Sequence, residues 1–216
     1  QENTLLAHAV GAGKTAVMIT AAMELIRIKL ATKTMIVVQN ATLQQFAEFA
    51  PKLYPTANIL VATKNDLVKE KRKRFLGRIA TGKWDIVIIA QSSFNMIEDN
   101  PDLVRAKYQS ELDELERIQG ARGIAMQPNR RQKKAEEQRK RSLKKRLDKL
   151  EDRHASEDIV YFDQLGVDCI FVDEVHSYKR NFFVTKMPNV KGLDKGSSEK
   201  AFSLSMKIEA VRQKTG

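Results

Sequence analysis

Residues 8–15 read His8-Ala-Val-Gly-Ala-Gly-Lys-Thr15, and this segment decides the fold class. Its glycines allow the backbone to curl so that N–H groups converge on phosphate oxygens. The ammonium of Lys14 can then reach the terminal phosphates, and the hydroxyl of Thr15 can ligate Mg²⁺. The usual pattern begins with Gly where this chain has His8. The segment predicts a loop that binds nucleotide phosphates through Gly11, Ala12, Gly13, Lys14 and Thr15.

Short apolar runs alternate with helical patterns along most of the chain. The runs predicted as buried strands are residues 34–39, 58–61, 85–90 and 169–172, and residues 4–7 are predicted as a strand leading into the loop. Helices are predicted between them at residues 15–30, 43–50 (ended by Pro51) and 71–80. This alternation predicts an α/β fold with a mainly parallel sheet flanked by helices.

Residues 101–153 interrupt the alternation and predict an inserted helical hairpin. Apolar residues spaced by three and four form one helix face, namely Val104, Tyr108, Leu112, Leu115 and Ile118. After a break around Gly120, Gly123 and Pro128, a very polar second helix carries Leu143, Leu147 and Leu150. We predict that residues 1–100 and 154–216 form one α/β unit. The hairpin is either a solvated spacer or a basic arm that contacts nucleic acid or a neighbouring domain.

Charge and composition limit the class of protein. The 216 residues are 42% hydrophobic, enough for a sizeable core, and carry a formal net charge of +11. Residues 130–150 hold eleven Lys or Arg against three acids, a net of +8, so most of the excess lies in the predicted hairpin. The single Cys169 excludes an internal disulfide and fits a reducing cytoplasm. No apolar run approaches the length of a membrane span, so we expect no membrane partner.

An acidic motif follows the last apolar run. Residues 169–172 (Cys-Ile-Phe-Val) lead directly into Asp173-Glu174-Val175-His176. Ligands of open parallel sheets bind at the carboxyl ends of the strands. Asp173 is therefore predicted to hold Mg²⁺ together with Thr15, and Glu174 to orient and deprotonate an attacking water. His176 is predicted to lie between the nucleotide and the part that moves on hydrolysis.

A second motif raises the question of which nucleotide binds. Thr63-Lys-Asn-Asp66 fits the TKxD pattern that reads guanine in GTPases. GTPases also need a DxxG motif between the phosphate-binding loop and the TKxD pattern, and residues 16–62 of this chain contain no Asp. A kinase is disfavoured because Asp-Glu-x-His suits water activation rather than transfer to an acceptor. We therefore predict ATP with Mg²⁺.

Together these segments resemble the first RecA-like domain of superfamily 2 helicases and Swi/Snf-type translocases. Residues 8–15 match helicase motif I, and residues 173–176 match the DExH form of motif II. Val37-Val-Gln-Asn-Ala-Thr-Leu-Gln-Gln-Phe46 is similar to motif Ia, although family members often have Pro near Asn40. Ile88-Ile-Ala-Gln-Ser-Ser-Phe94 is similar to the segment that lines the nucleic-acid track.

The resemblance implies a DNA-stimulated ATPase that moves along nucleic acid, more often DNA than RNA. Lys14, Asp173, Glu174 and His176 are then the catalytic set. The implied contacts to the nucleic-acid backbone are Gln39, Thr42, Thr63, Gln91 and Ser92. Thr42 could instead cap the helix that begins at Leu43.

More narrowly, LLAHAVGAGKT and LGVDCIFVDEVHSYKR resemble large proteins of phages and mobile elements in which a helicase-like motor accompanies an adenine-specific DNA methyltransferase. This implies a bacterial or phage cytoplasmic protein, with a second RecA-like domain and possibly a methyltransferase domain as partners in the parent chain. Motif III and the arginine fingers are not in these residues, so we expect weak nucleotide binding and poor hydrolysis by this piece alone. The alternative is a catalytically silent nucleotide-binding or scaffold module of a DNA modification or restriction protein.

Overall fold

A four-stranded parallel sheet forms the centre of the computed structural model, which describes residues 3–9, 11–120, 130–152, 159–179 and 198–215. The strands are β1 (Thr34–Val38), β2 (Ile59–Ala62), β3 (Ile86–Ala90) and β4 (Cys169–Val172). They lie in the order β2-β3-β1-β4, and every pairing is parallel. The predicted α/β fold is confirmed, with each strand within one residue of its predicted start and end.

Helices cover both faces of this sheet. The helices, in chain order, are α1 (Lys14–Arg27), α2 (Leu43–Leu53), α3 (Lys69–Thr81), α4 (Gln91–Phe94), α5 (Pro101–Gly120), α6 (Arg130–Asp152) and α7 (Glu199–Thr215). Every residue of β1 and β3 is buried because these two strands lie in the middle and are covered on both faces. This explains why both read as continuous apolar runs.

Alternate strand residues separate the core into two layers. Ile36 and Ile88 face α1 and α2, where they pack with Ile19 and Phe46. The alternate residues Met35, Val37, Val87 and Ile89 face the opposite layer, which α3, α7 and the short helical turn of residues 162–165 supply. The result is a helix–sheet–helix arrangement, as expected for strands joined by crossover helices.

The predicted helical hairpin is present and is packed on α7. All five residues of the predicted α5 face are buried: Val104, Tyr108, Leu112, Leu115 and Ile118. Leu143 of α6 and Met206 of α7 complete this small core, and Phe202 stacks on Tyr108 with ring centroids 5.0 Å apart. The predicted break at Gly123 and Pro128 lies outside the described residues. The domain boundaries at 100 and 154 remain predictions.

Two sequence expectations were wrong. Residues 4–7 do not form a strand, and Leu5 is 75% exposed. A short strand is stable only beside a hydrogen-bonding neighbour, and none of the described strands pairs with this segment. Pro51 does not end α2, which continues to Leu53. Pro51 lies in the last turn, where it removes one helical hydrogen bond and only two helical residues follow it.

Two buried charged side chains tie distant segments together. Asp168 accepts hydrogen bonds from the backbone N–H groups of Thr32 (2.7 Å) and Lys33 (3.1 Å), which fixes the start of β4 against the start of β1. Lys207 donates to the carbonyl of Ile97 (2.9 Å) and to Asp99 Oδ1 (2.7 Å).

Within the described residues, no helix has the length and apolarity needed to cross a bilayer.

Candidate nucleotide site and sheet edge

The polar residues predicted from the sequence follow the strands directly. Gln39 follows β1, Thr63 follows β2, Gln91 follows β3 and Asp173 follows β4. Because all four strands are parallel, their carboxyl ends lie at one edge of the sheet. This is the edge at which open α/β sheets bind ligands. The fold thus brings the predicted residues of distant motifs to one place.

The glycine-rich loop has the backbone shape expected from its sequence. Gly11 has φ +83° and Gly13 has φ +76°, both in the left-handed region that favours glycine. No atom lies within 4 Å of the position that a β-carbon would occupy at either residue. Gly13 caps α1 without a side-chain hydrogen bond, so the first amides of that helix are open to a ligand. Lys14 and Thr15 follow as the first helical residues and are half-buried.

Asp173 is fixed by its backbone. Its N–H donates to the carbonyl of Val37 (2.8 Å), and its own carbonyl accepts a hydrogen bond from Gln91 Nε2 (2.9 Å). Partial burial raises the pKa of its carboxyl, and the adjacent Glu174 charge raises that pKa further. The ammonium of Lys14 acts in the opposite sense and lowers it. Lys14 and Asp173 are therefore within electrostatic reach of each other.

Glu174 and His176 form a local pair. The backbone of Glu174 is left-handed, with φ 51°, which is uncommon for a residue other than glycine. This turn places Glu174 Oε2 2.9 Å from Nδ1 of His176. The helical turn that begins here is anchored by Tyr178, whose ring is buried in the core below. Burial raises the pKa of Tyr178 to about 12.

Four of the five side chains predicted to contact nucleic acid already have partners within the chain, namely those of Thr42, Thr63, Gln91 and Ser92. Ser92 Oγ donates to Asn40 Oδ1 (2.8 Å), which joins the ends of β3 and β1. Thr42 Oγ1 donates to the carbonyl of Gln39 (3.2 Å) and makes no capping hydrogen bond to α2. Thr42 does stand at the N-cap position of α2, as the alternative expected, but its hydroxyl makes no capping hydrogen bond there.

Thr63 and Asp66, the first and last residues of the TKxD pattern, bond to each other. The carboxylate of Asp66 accepts hydrogen bonds from the backbone N–H of Thr63 (2.9 Å) and from its hydroxyl (2.5 Å). These bonds form a capping box around a single helical turn. The Asp side chain thus has a local structural use.

Sequence reasoning missed two contacts that hold this edge together. The amide of Gln91 reaches past β1 to the carbonyl of Asp173, although these residues are 82 positions apart. Lys207, which lies in α7, donates a hydrogen bond to the carbonyl of Ile97 and so holds the segment after α4. A polar residue at a strand end is a visible signal for Gln91, but nothing in the local pattern of α7 identifies the partner of Lys207.

A parallel sheet with a glycine-rich loop and an acidic pair at one edge defines the class as a RecA-like α/β domain with a nucleotide-binding role. A family model described as "Probable helicase domain" matches residues 1–216, and the chain belongs to this family. Comparisons with curated proteins and with solved structures gave no significant match.

Proposed function

We propose that this domain binds ATP with Mg²⁺ and hydrolyses it within a DExH-type helicase or translocase that acts on DNA. The observation that carries the proposal is the packing of α1, which begins at Lys14, against β4, which leads directly into Asp173. Membership of the helicase-domain family supports the same assignment.

The loop fits a triphosphate. Open amides at the start of α1 and free space above Gly11 and Gly13 suit a group that approaches the backbone closely. Lys14 would then neutralise charge on the terminal phosphates. Thr15 and Asp173 supply the hard oxygen ligands that Mg²⁺ prefers, with the remaining positions left to phosphate and water. The ion, when bound, would offset negative charge that develops on the phosphates.

Glu174 is the proposed general base. Its carboxylate accepts a proton from the attacking water, and the neighbouring Asp173 remains available for the metal. His176 pairs with Glu174 at 2.9 Å and is proposed to position that carboxylate. Gln39, Thr42, Thr63, Gln91 and Ser92 are proposed to contact the nucleic-acid backbone along the same edge, where hydroxyl and amide groups suit phosphates.

Binding of a fluorescent ATP analogue with and without Mg²⁺ tests the nucleotide site. Lys14→Ala should lower the affinity at least about tenfold, as expected when a charge-assisted phosphate contact of roughly 1.5–3 kcal/mol is lost. Thr15→Ala and Asp173→Asn should abolish the part of the affinity that depends on Mg²⁺. Lys52→Ala, an exposed lysine of α2, is the matched control and should bind like the parent. Unchanged affinity in Lys14→Ala would refute the site.

Hydrolysis tests the catalytic role separately. ATP turnover by the full-length parent protein is measured with and without duplex DNA. Glu174→Gln should keep nucleotide affinity and remove turnover, while Glu48→Gln in α2 should change neither. Persistent turnover in Glu174→Gln would mean that another group activates the water. Nucleotide binding without any turnover in the parent would instead support the silent module of a DNA modification or restriction protein, with any methyltransferase domain elsewhere.

A further inference from the structure

The exposed side of α6 carries a stripe of positive charge. Lys134, Arg141 and Lys145 are all exposed. Their spacings of seven and four residues return to nearly the same angle on a helix with 3.6 residues per turn. They therefore form a single line about 16 Å long, from 1.5 Å of rise per residue. We call these three residues the basic stripe.

The orientation of the basic stripe is fixed by the opposite side of α6. Leu143 is buried, and Leu147 and Leu150 are partly buried in the small core with α5 and α7. These leucines lie about 160–220° around the helix from Lys134, at 100° per residue. Arg146 extends along the same junction and lies over the ring of Tyr108, 5.8 Å from its centroid. The stripe must therefore face away from the protein.

The composition of this side indicates which partner it fits. Among the α6 side chains that the structure describes, the exposed ones are Lys133, Lys134, Glu137, Gln138, Arg141, Ser142, Lys144, Lys145, Asp148 and Lys149. None of them is apolar, whereas the centre of a protein–protein interface is enriched in aromatic residues and depleted of lysine. A membrane-surface helix needs a free apolar face, and here that face is covered by α5 and α7. A line of cations whose described exposed neighbours are all polar suits a phosphate backbone.

We propose that the basic stripe is a second nucleic-acid contact, separate from the sheet edge. A duplex carries about one charge per 1.7 Å of its axis, so a 16 Å stripe faces on the order of ten phosphate charges. The stripe reads no sequence, because ammonium and guanidinium groups on phosphates do not distinguish bases. The choice of a nucleic acid as partner rests on the helicase-domain family, but the contact requires no bound nucleotide.

The test measures the anisotropy of a labelled DNA duplex of about 20 base pairs, and of its single strand, between about 50 and 200 mM salt without nucleotide. The variant Lys134→Gln/Arg141→Gln/Lys145→Gln removes three charges and keeps good helix formers. Lys69→Gln/Lys71→Gln/Arg74→Gln on α3 is the control, because those side chains are also exposed and the charge change is the same. Melting temperatures confirm that both variants are folded.

The stripe variant should lose about 500-fold in duplex affinity at 0.1 M salt, since each of its three lost phosphate contacts costs about eightfold there. The magnitude of its salt slope should fall by about 2.7 for duplex and about 2 for single strand. The α3 control should lose much less. Equal losses in the two variants would show that only total charge matters, and an unchanged stripe variant would overturn the contact directly.

Two further measurements separate the explanations. Poly-L-glutamate of matched charge represents an acidic protein partner, and if it binds the stripe as tightly as DNA the assignment to nucleic acid is overturned. Binding of the ATP analogue should be unchanged in the stripe variant, while Lys14→Ala should keep the parental salt slope. A failure of the nucleotide site therefore leaves the stripe result interpretable, and the converse also holds.

Discussion

Lys207→Met tests how the segment behind the sheet edge is held in place. The side chain of Lys207 is 0% exposed, and its ammonium bonds to the carbonyl of Ile97, to Asp99 and to Ser203 Oγ (2.6 Å). It also lies 5.2 Å from the ring centroid of Phe94, the last residue of α4. Methionine has a similar length and volume, so the substitution removes the charge and the donors without opening a large cavity.

The expected loss of stability follows from the Asp99 carboxylate, which the substitution leaves without its charged partner. Removing one partner of a buried ion pair costs about 3–5 kcal/mol, because the other charge stays buried and unpaired. The side chain of Asp99 is 15% exposed, and a thioether packs well against aromatic rings. We therefore expect a loss of folding free energy near the lower limit, about 3 kcal/mol. For a chain of this size that is a fall in Tm of about 6–12 °C.

Thermal and urea unfolding followed by circular dichroism measure this loss. Lys200→Met is the control, since Lys200 is exposed on the same helix and should change stability by less than about 0.5 kcal/mol. Asp99→Asn combined with Lys207→Met should recover at least about 1 kcal/mol, because no charge is then left buried. Equal melting of the Lys207 and Lys200 variants would refute the reasoning. A double variant that is less stable than Lys207→Met would do the same.

Four other expectations concern the sheet edge, the loop and the start of β4. Because burial raises the pKa of Asp173, the folded state favours its protonated form, so Asp173→Asn should melt higher than the parent at pH 7; this gain should shrink as pH falls through the raised pKa. Burial raises the pKa of Cys169 to about 11, so iodoacetamide at pH 8 should alkylate the folded protein much more slowly than the unfolded chain. Gly13→Ala, at φ +76°, should lower the free energy of unfolding by about 1 kcal/mol, whereas Gly77→Ala inside α3 should raise it by a similar amount, both measured by urea unfolding. Gln91→Leu should cost about 1 kcal/mol, also measured by urea unfolding, because the carbonyl of Asp173 loses its donor.

The central architecture could be predicted from local patterns. Continuous apolar runs such as residues 34–38 occur where a strand is covered on both faces, and β1 and β3 are the two strands fully covered. The three-and-four spacing likewise identified the buried face of α5. These features succeed because burial on a regular element imposes its period on the sequence.

The failures concern elements that depend on distant partners. Residues 4–7 have a plausible strand composition, but a strand needs a neighbour, and composition does not supply one. The hydroxyl of Thr42 could accept from a backbone N–H of α2 or donate to a nearby carbonyl, and the backbone geometry after β1 decided for the carbonyl of Gln39. Lys207 would be assigned to the surface from its charge alone, yet it is buried because Asp99 and Ile97 lie beside it.

At the sheet edge, the polar groups proposed to meet nucleic acid are the same groups that join the strand ends. Gln91 bonds to Asp173, and Ser92 bonds to Asn40. A phosphate that accepts from the single O–H of Ser92 must replace its hydrogen bond to Asn40, whereas the amide nitrogen of Gln91 carries two N–H groups and can keep the carbonyl of Asp173. On the proposed function, Gln91 would donate to a phosphate and to the carbonyl of Asp173 at once, next to the carboxylate that would hold the metal. Contact with nucleic acid and the geometry of the acidic motif would then be linked through a single side chain.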